Sequence, residues 1–152
     1  MNDHDIDRLI GLAKRIIESE EPKKLLMICE MLKGEVDHYN WVGFYLVDEF
    51  NDRMLVLGPF SGDATEHVRI PFGKGICGQA AETGKQFLIQ DVKAEDNYLS
   101  CGLNVRSEIV LPIYSHGRIK GELDVDSHQN SPFDDNDTKL LKKICVMVED
   151  LL

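Results

Sequence analysis

"SEIVLPIYSHGRIKGELDVDS", residues 107–127, is the stretch on which the fold turns. Two runs rich in aliphatic and β-branched residues, 107–115 and 119–127, flank the turn-like His116-Gly117-Arg118. That pattern predicts an antiparallel hairpin. Alternate side chains of a strand point to opposite faces. In the first run Ile109, Leu111 and Ile113 share a face, opposite Glu108, Val110, Pro112 and Tyr114. In the second, Ile119, Leu123 and Val125 oppose Arg118, Lys120, Glu122, Asp124 and Asp126. Each strand therefore has one aliphatic face and one face that is acidic or aromatic. Lys120 and Glu122 read as ordinary solvated residues of a wet sheet face.

The same alternation recurs upstream. In "YNWVGFYLVDE", residues 39–49, Val42, Phe44 and Leu46 oppose Trp41, Gly43 and Tyr45. "DEFNDR" then turns the chain into a partner strand, "MLVLGPF", and "HVRIPF" and "QFLIQDV" read as further strands. "KGICGQAAETGK" predicts a short helix from Ile76 to about Thr83, ended by Gly84, and "KAEDNYL" a helical turn or loop. Before the strands, Ile6, Leu9, Ile10, Ala13, Ile16 and Ile17 recur at helical spacing, and a second helix runs to about Gly34 with Pro22 in its first turn. A last helix is capped by Asp134 or Asp135. The expected fold class is α/β of the α+β type. A central antiparallel sheet carries the N- and C-terminal helices on one face and a lidded pocket on the other. The expected organisation is one domain, 1–152: helices over 1–35, the sheet with its pocket insertions over 39–127, and the C-terminal helix over 134–152.

A formal charge of −10 and scattered Lys and Arg argue against nucleic acid and against an anionic membrane surface as partners. No apolar run reaches the length of a membrane span, and "MNDHDIDRL" is too acidic for a signal peptide. A cytoplasmic location is the expectation, and there thiols are kept reduced. The four cysteines divide by context. Cys29 and Cys145 sit on helical apolar faces and read as packing residues. Cys77 lies between two glycines and Cys101 precedes one, neither with a periodic apolar neighbourhood. Strand parity gathers Trp41, Tyr45, Glu108, Asp124, Asp126 and these two thiols toward one pocket. An indole on a bare wet face is wasteful, so Trp41 calls for cover. Carboxylates clustered under a lid raise one another's pKa, and one can stay protonated near neutral pH.

"NWVGFYLV", "LVLGPFSG", "FGKGICGQAAETG" and "SEIVLPI…GELDVDS" resemble the GAF domain, and more narrowly the free methionine-(R)-sulfoxide reductases. The resemblance runs from Asn40 to roughly Asp137. It implies that Trp41 and Tyr45 wall the methionine side chain. It implies that Glu108, Asp124 and Asp126 hold the amino and sulfoxide groups, and that Cys77 and Cys101 are two of the family's three cysteines. The third falls between the Gly-Pro-Phe strand and the Gly-Lys-Gly turn, where this chain reads "SGDATEHVRIPF" with no thiol.

The implied chemistry is thiol-dependent reduction of free L-methionine-(R)-sulfoxide. Cys101 is the nucleophile, Cys77 resolves its sulfenic acid as a disulfide, and Glu108 or Asp126 is the acid. A thioredoxin-like dithiol resets the pair, and no metal or other cofactor is needed. Family habit implies a homodimer through the terminal helices. The rival readings are a stand-alone GAF sensor that binds a small molecule without catalysis, and a degenerate reductase kept for partner binding. A metal site from His67, Cys77 and Cys101 has irregular spacing and no Cys-x-x-Cys pair.

Overall fold

The computed structural model of the chain describes residues 1–99, 102 and 104–152. Six strands form one sheet: β1 (Trp41–Val47), β2 (Met54–Ser61), β3 (Arg69–Pro71), β4 (Phe87–Ile89), β5 (Ser107–Ser115) and β6 (Arg118–Ser127). Their order is β3-β2-β1-β6-β5-β4, and every neighbouring pair is antiparallel. Helices α1 (Asp3–Glu18), α2 (Lys24–Glu35) and α4 (Asp135–Val148) cover one face. Helix α3 (Gly75–Thr83) lies on the other.

The two faces hold separate apolar clusters. Under the three long helices, Val42, Phe44, Ile109, Leu111, Ile113, Leu123 and Val125 meet Ile6, Leu9, Ile28, Leu32, Leu140 and Ile144. Under α3, Trp41, Tyr45, Leu55, Ile70 and Val110 meet Ile76, Cys77, Ala80 and Ala81. This is the division the alternation predicts, with one exception. Ile119 packs with the α3-side cluster. A bulge shifts the β5–β6 register between Ile113, opposite Gly121, and Tyr114, opposite Ile119. The extra residue reverses the facing of everything beyond it.

The local chemistry accounts for the element ends. Asn2 and Asp5 form a capping box at α1, and Asp134 and Asp137 form another at α4, so Asp134 is the cap. Pro22 lies outside α2, which begins at Lys24 without a side-chain cap. Gly84 closes α3 in the left-handed region. His116 and Gly117, at φ 53° and 76°, make the tight turn between β5 and β6. Cys29 and Cys145 are buried on the helix side, as their periodicity predicts. Burial pushes the Cys145 thiol up to about 12 and the Cys29 thiol further still. Neither forms a standing thiolate. His38 is tied into the helix side: its Nε2 lies 2.8 Å from Asp137 Oδ1.

Candidate active site

The register of three strands lays out the site row by row. Trp41 stands opposite Asp126, which stands opposite Glu108. In the next row Gly43 faces Asp124 and Asp124 faces Val110. In the third, Tyr45 faces Glu122 and Glu122 faces Pro112. All three rows point toward α3. Four acidic side chains from two strands thus share one covered surface. Glu122, Asp124 and Asp126 are 0% exposed and Glu108 is 2% exposed.

Cys77 is delivered from above by the first turn of α3. Its Sγ lies 3.6 Å from Glu108 Oε1 and 3.4 Å from Asp124 Oδ2. One thiol proton cannot serve both carboxyls at once, so these three groups share protons among themselves. Burial, followed by the charges of Asp124 and Asp126, pushes Glu108 well above the usual carboxylate range. Burial raises Asp124 to about 6, against the opposing pull of its contacts with Glu108 and Cys77. Burial thus favours a proton on this pair of carboxyls, with the stronger push on Glu108. Burial, and then the Asp124 charge, lifts Glu122 well above its ordinary value. Both Glu122 oxygens and Asp124 Oδ1 have no hydrogen-bond partner among the described residues. A protonated carboxyl is the only form such a site tolerates cheaply when nothing else is bound.

Trp41 closes one end. Its indole stacks on Phe60 at 5.4 Å and lies 6.4 Å from the Tyr45 ring, and its Nε1 donates to Asp63 O at 3.0 Å. The ring lies flat across Gly43, where a Cβ would come within 2.3 Å of Trp41. Only glycine lets the indole settle there. Tyr45 donates its hydroxyl to His67 O at 2.9 Å, so a polar tip is satisfied under an apolar roof.

Asn97 holds the cover in place. It accepts from Gly75 N at 2.8 Å and donates to Gly73 O at 2.9 Å, pinning the segment after β4 to the start of α3. Leu99 packs against Gly75 and lines a cavity of about 10 Å³ with Ile70, Cys77 and Glu108. A second cavity, about 40 Å³, abuts Trp41, Asp63 and Asp126. Larger surface clefts, about 750 Å³ beside Pro22 and Pro59 and about 480 Å³ between β5 and α4, lie on the helix side, away from the acidic groups.

Six of the seven residues singled out in the sequence are gathered here: Trp41, Tyr45, Cys77, Glu108, Asp124 and Asp126. Cys101 lies outside the described residues. Glu122 corrects the sequence reading. It is not solvated but wholly buried beside Asp124. Its even spacing with 124 and 126 was the available signal, and the α3 roof, invisible to parity, decided the matter. Asn97 carried no signal at all, because its role depends on a loop-to-helix contact.

A sequence model of the GAF domain matches residues 27–148. The chain belongs to the GAF domain family. Within it, the chain is similar to proteins that act on free methionine sulfoxide. It is 41% identical to the free methionine-R-sulfoxide reductase of Escherichia coli over 122 residues, 80% of this chain and 72% of that one. A Bacillus subtilis protein, YtsP, is 43% identical over 122 residues, 80% of this chain and 74% of its own. The crystal structure of the Neisseria meningitidis free methionine-R-sulfoxide reductase with its substrate superposes with a TM-score of 0.87 at 34% identity, over 99% of this chain and 90% of that one.

Proposed function

We propose that this protein reduces free L-methionine-(R)-sulfoxide with thiols. The observation that carries the reading is a thiol, Cys77, set between two buried carboxyls in a site walled by Trp41, on a chain similar throughout to reductases of that substrate. Sulfoxide reduction needs a soft nucleophile for sulfur and an acid for oxygen. Cys101 is assigned as nucleophile. Its sulfur takes the sulfoxide oxygen, methionine leaves, and the cysteine becomes a sulfenic acid. Glu108, held protonated by burial and by its acidic neighbours, is the better-placed proton donor, with Asp126 in the same row as the alternative. The Cys77 sulfur then attacks the sulfenic sulfur. An S–S bond forms and the oxygen leaves as water. An external dithiol of the thioredoxin type takes up the disulfide and restores both thiols.

The acidic groups also suit the ligand. A free amino acid brings an ammonium group, and a cation here would offset the repulsion that Glu108 meets from Asp124 and Asp126. Neither cavity holds methionine sulfoxide as it stands, so binding requires the lining residues to repack.

The test is turnover of free L-methionine-(R)-sulfoxide with dithiothreitol and with thioredoxin, read as methionine released. Peptide mapping after a single turnover without reductant should find Cys77 linked to Cys101. Full activity in Cys101→Ser would remove that residue as nucleophile. A second reading, a GAF sensor that binds without catalysis, draws on one observation: the stretch 61–72 has no thiol. Saturable binding of methionine or its sulfoxide with no methionine formed under any reductant would establish it.

A further inference from the structure

We propose that Cys77, Glu108 and Asp124 form a binding site for a thiophilic divalent cation of the zinc or cobalt kind. The inference goes beyond methionine sulfoxide reduction and does not depend on it. One ligand atom from each residue lies within 4.8 Å of the other two. For a tetrahedral ion with a metal–sulfur bond of about 2.3 Å and a metal–oxygen bond of about 2.0 Å, the sulfur and oxygen corners stand about 3.5 Å apart. The observed separations are 3.4 and 3.6 Å. Three protein ligands leave the fourth position for water, which is the open form of such sites. A thiolate in the set selects against magnesium and calcium, which prefer oxygen alone.

A second observation points to a cation independently. Both oxygens of Glu122 and Oδ1 of Asp124 are buried without a partner among the described residues. Glu122 lies close enough to Asp124 and Cys77 to respond to both. Buried acceptors without donors need positive charge nearby or protons of their own. The cavity against Cys77 and Glu108, about 10 Å³, is the size of one small guest and far below that of an organic ligand. Lys74 lines it too, but as an exposed residue that keeps its ammonium in solvent. Coordination forms bonds from the metal to one sulfur and two oxygens and releases the Cys77 proton and any carboxyl proton to water. No electron moves. An ion so placed occupies the Cys77 sulfur, so metal and disulfide chemistry exclude each other.

The test is a titration of the reduced, chelator-treated full chain with Co²⁺, followed by near-ultraviolet absorption. We expect a thiolate-to-cobalt band saturating at one ion per chain, displaced by Zn²⁺, and absent in Cys77→Ser. Asp124→Asn keeps the thiol but should weaken affinity by about 100-fold or more, since loss of an outer partner alone costs about 10- to 100-fold. Glu122→Gln should cost about tenfold. Cys145→Ala should leave the band unchanged. No band in wild type, or a band that survives Cys77→Ser, overturns the proposal. The readout does not use turnover, so an inactive protein gives the same answer.

Discussion

Asp137 on the helix side of the sheet and Glu122 on the α3 side are both buried, 1% and 0% exposed, yet their surroundings are opposite. Asp137 Oδ1 lies 2.8 Å from both the Tyr39 hydroxyl and His38 Nε2, and its Oδ2 accepts from Asp134 N at 2.9 Å. Burial works against its charge, but the bonds from His38, the Asp134 backbone and Tyr39 win, and its pKa falls. Glu122 meets burial and the Asp124 charge, which outweigh the opposing pull of the Cys77 thiol, and its pKa rises. The difference teaches how to sort buried acids. A carboxylate surrounded by donors is a structural rivet. One surrounded by acids and a thiol has been left waiting for a proton or a ligand.

The comparison can be broken by substitution. Asp137→Ala should cost the most, about 3 kcal/mol in urea unfolding, because it removes half of a capping box and strands the buried Tyr39 hydroxyl. Glu122→Met should do the reverse and stabilise by about 1 kcal/mol, since it replaces an unpartnered buried carboxyl with an apolar side chain of similar length. Equal losses from both substitutions would mean that Glu122 has donors after all.

Acidity sharpens the same contrast. Asp124 rises from 3.8 to about 6 on folding, so between those values the native state holds a proton that the unfolded chain has lost. Its contribution to stability is therefore present below about 4 and lost as pH rises through about 6. Asp137 is lowered, so its contribution is present above 3.8 and lost as pH falls below that value. Melting temperature against pH in metal-free protein should show the first slope flattened in Asp124→Asn and the second in Asp137→Asn. The smallest effect belongs to Cys145→Ala. It should cost below about 0.8 kcal/mol and leave turnover intact, because that thiol only fills helix packing.

Strand parity makes the two faces legible in the sequence, because the period of two leaves little freedom once a strand is identified. Val42, Phe44, Ile109, Leu123 and Val125 fell on the helix side and Trp41 and Tyr45 on the other for that reason alone. The same rule misplaced Ile119, since a bulge is one residue of register that alternation cannot foresee. Glu122 was misread for a different cause. Parity tells which face a side chain takes but not what covers that face, and here α3 and Leu99 do. The Asp137 cluster was legible only in part. A cap at Asp134 or Asp135 follows from local sequence, whereas His38 and Tyr39 reach Asp137 across 99 and 98 positions of chain.

Trp41 is the only tryptophan in the chain. Excited at the red edge of protein absorption, the molecule therefore emits from one place: an indole sealed against Phe60, laid over Gly43 and bordering the cavity at Asp126. Its emission should be blue-shifted, as an indole out of water is. Whatever enters that cavity, or displaces the Asp63 carbonyl from Nε1, changes the light without any label. The same contacts that close the site thus make it self-reporting, and an unknown ligand can be sought in solution by colour and intensity alone.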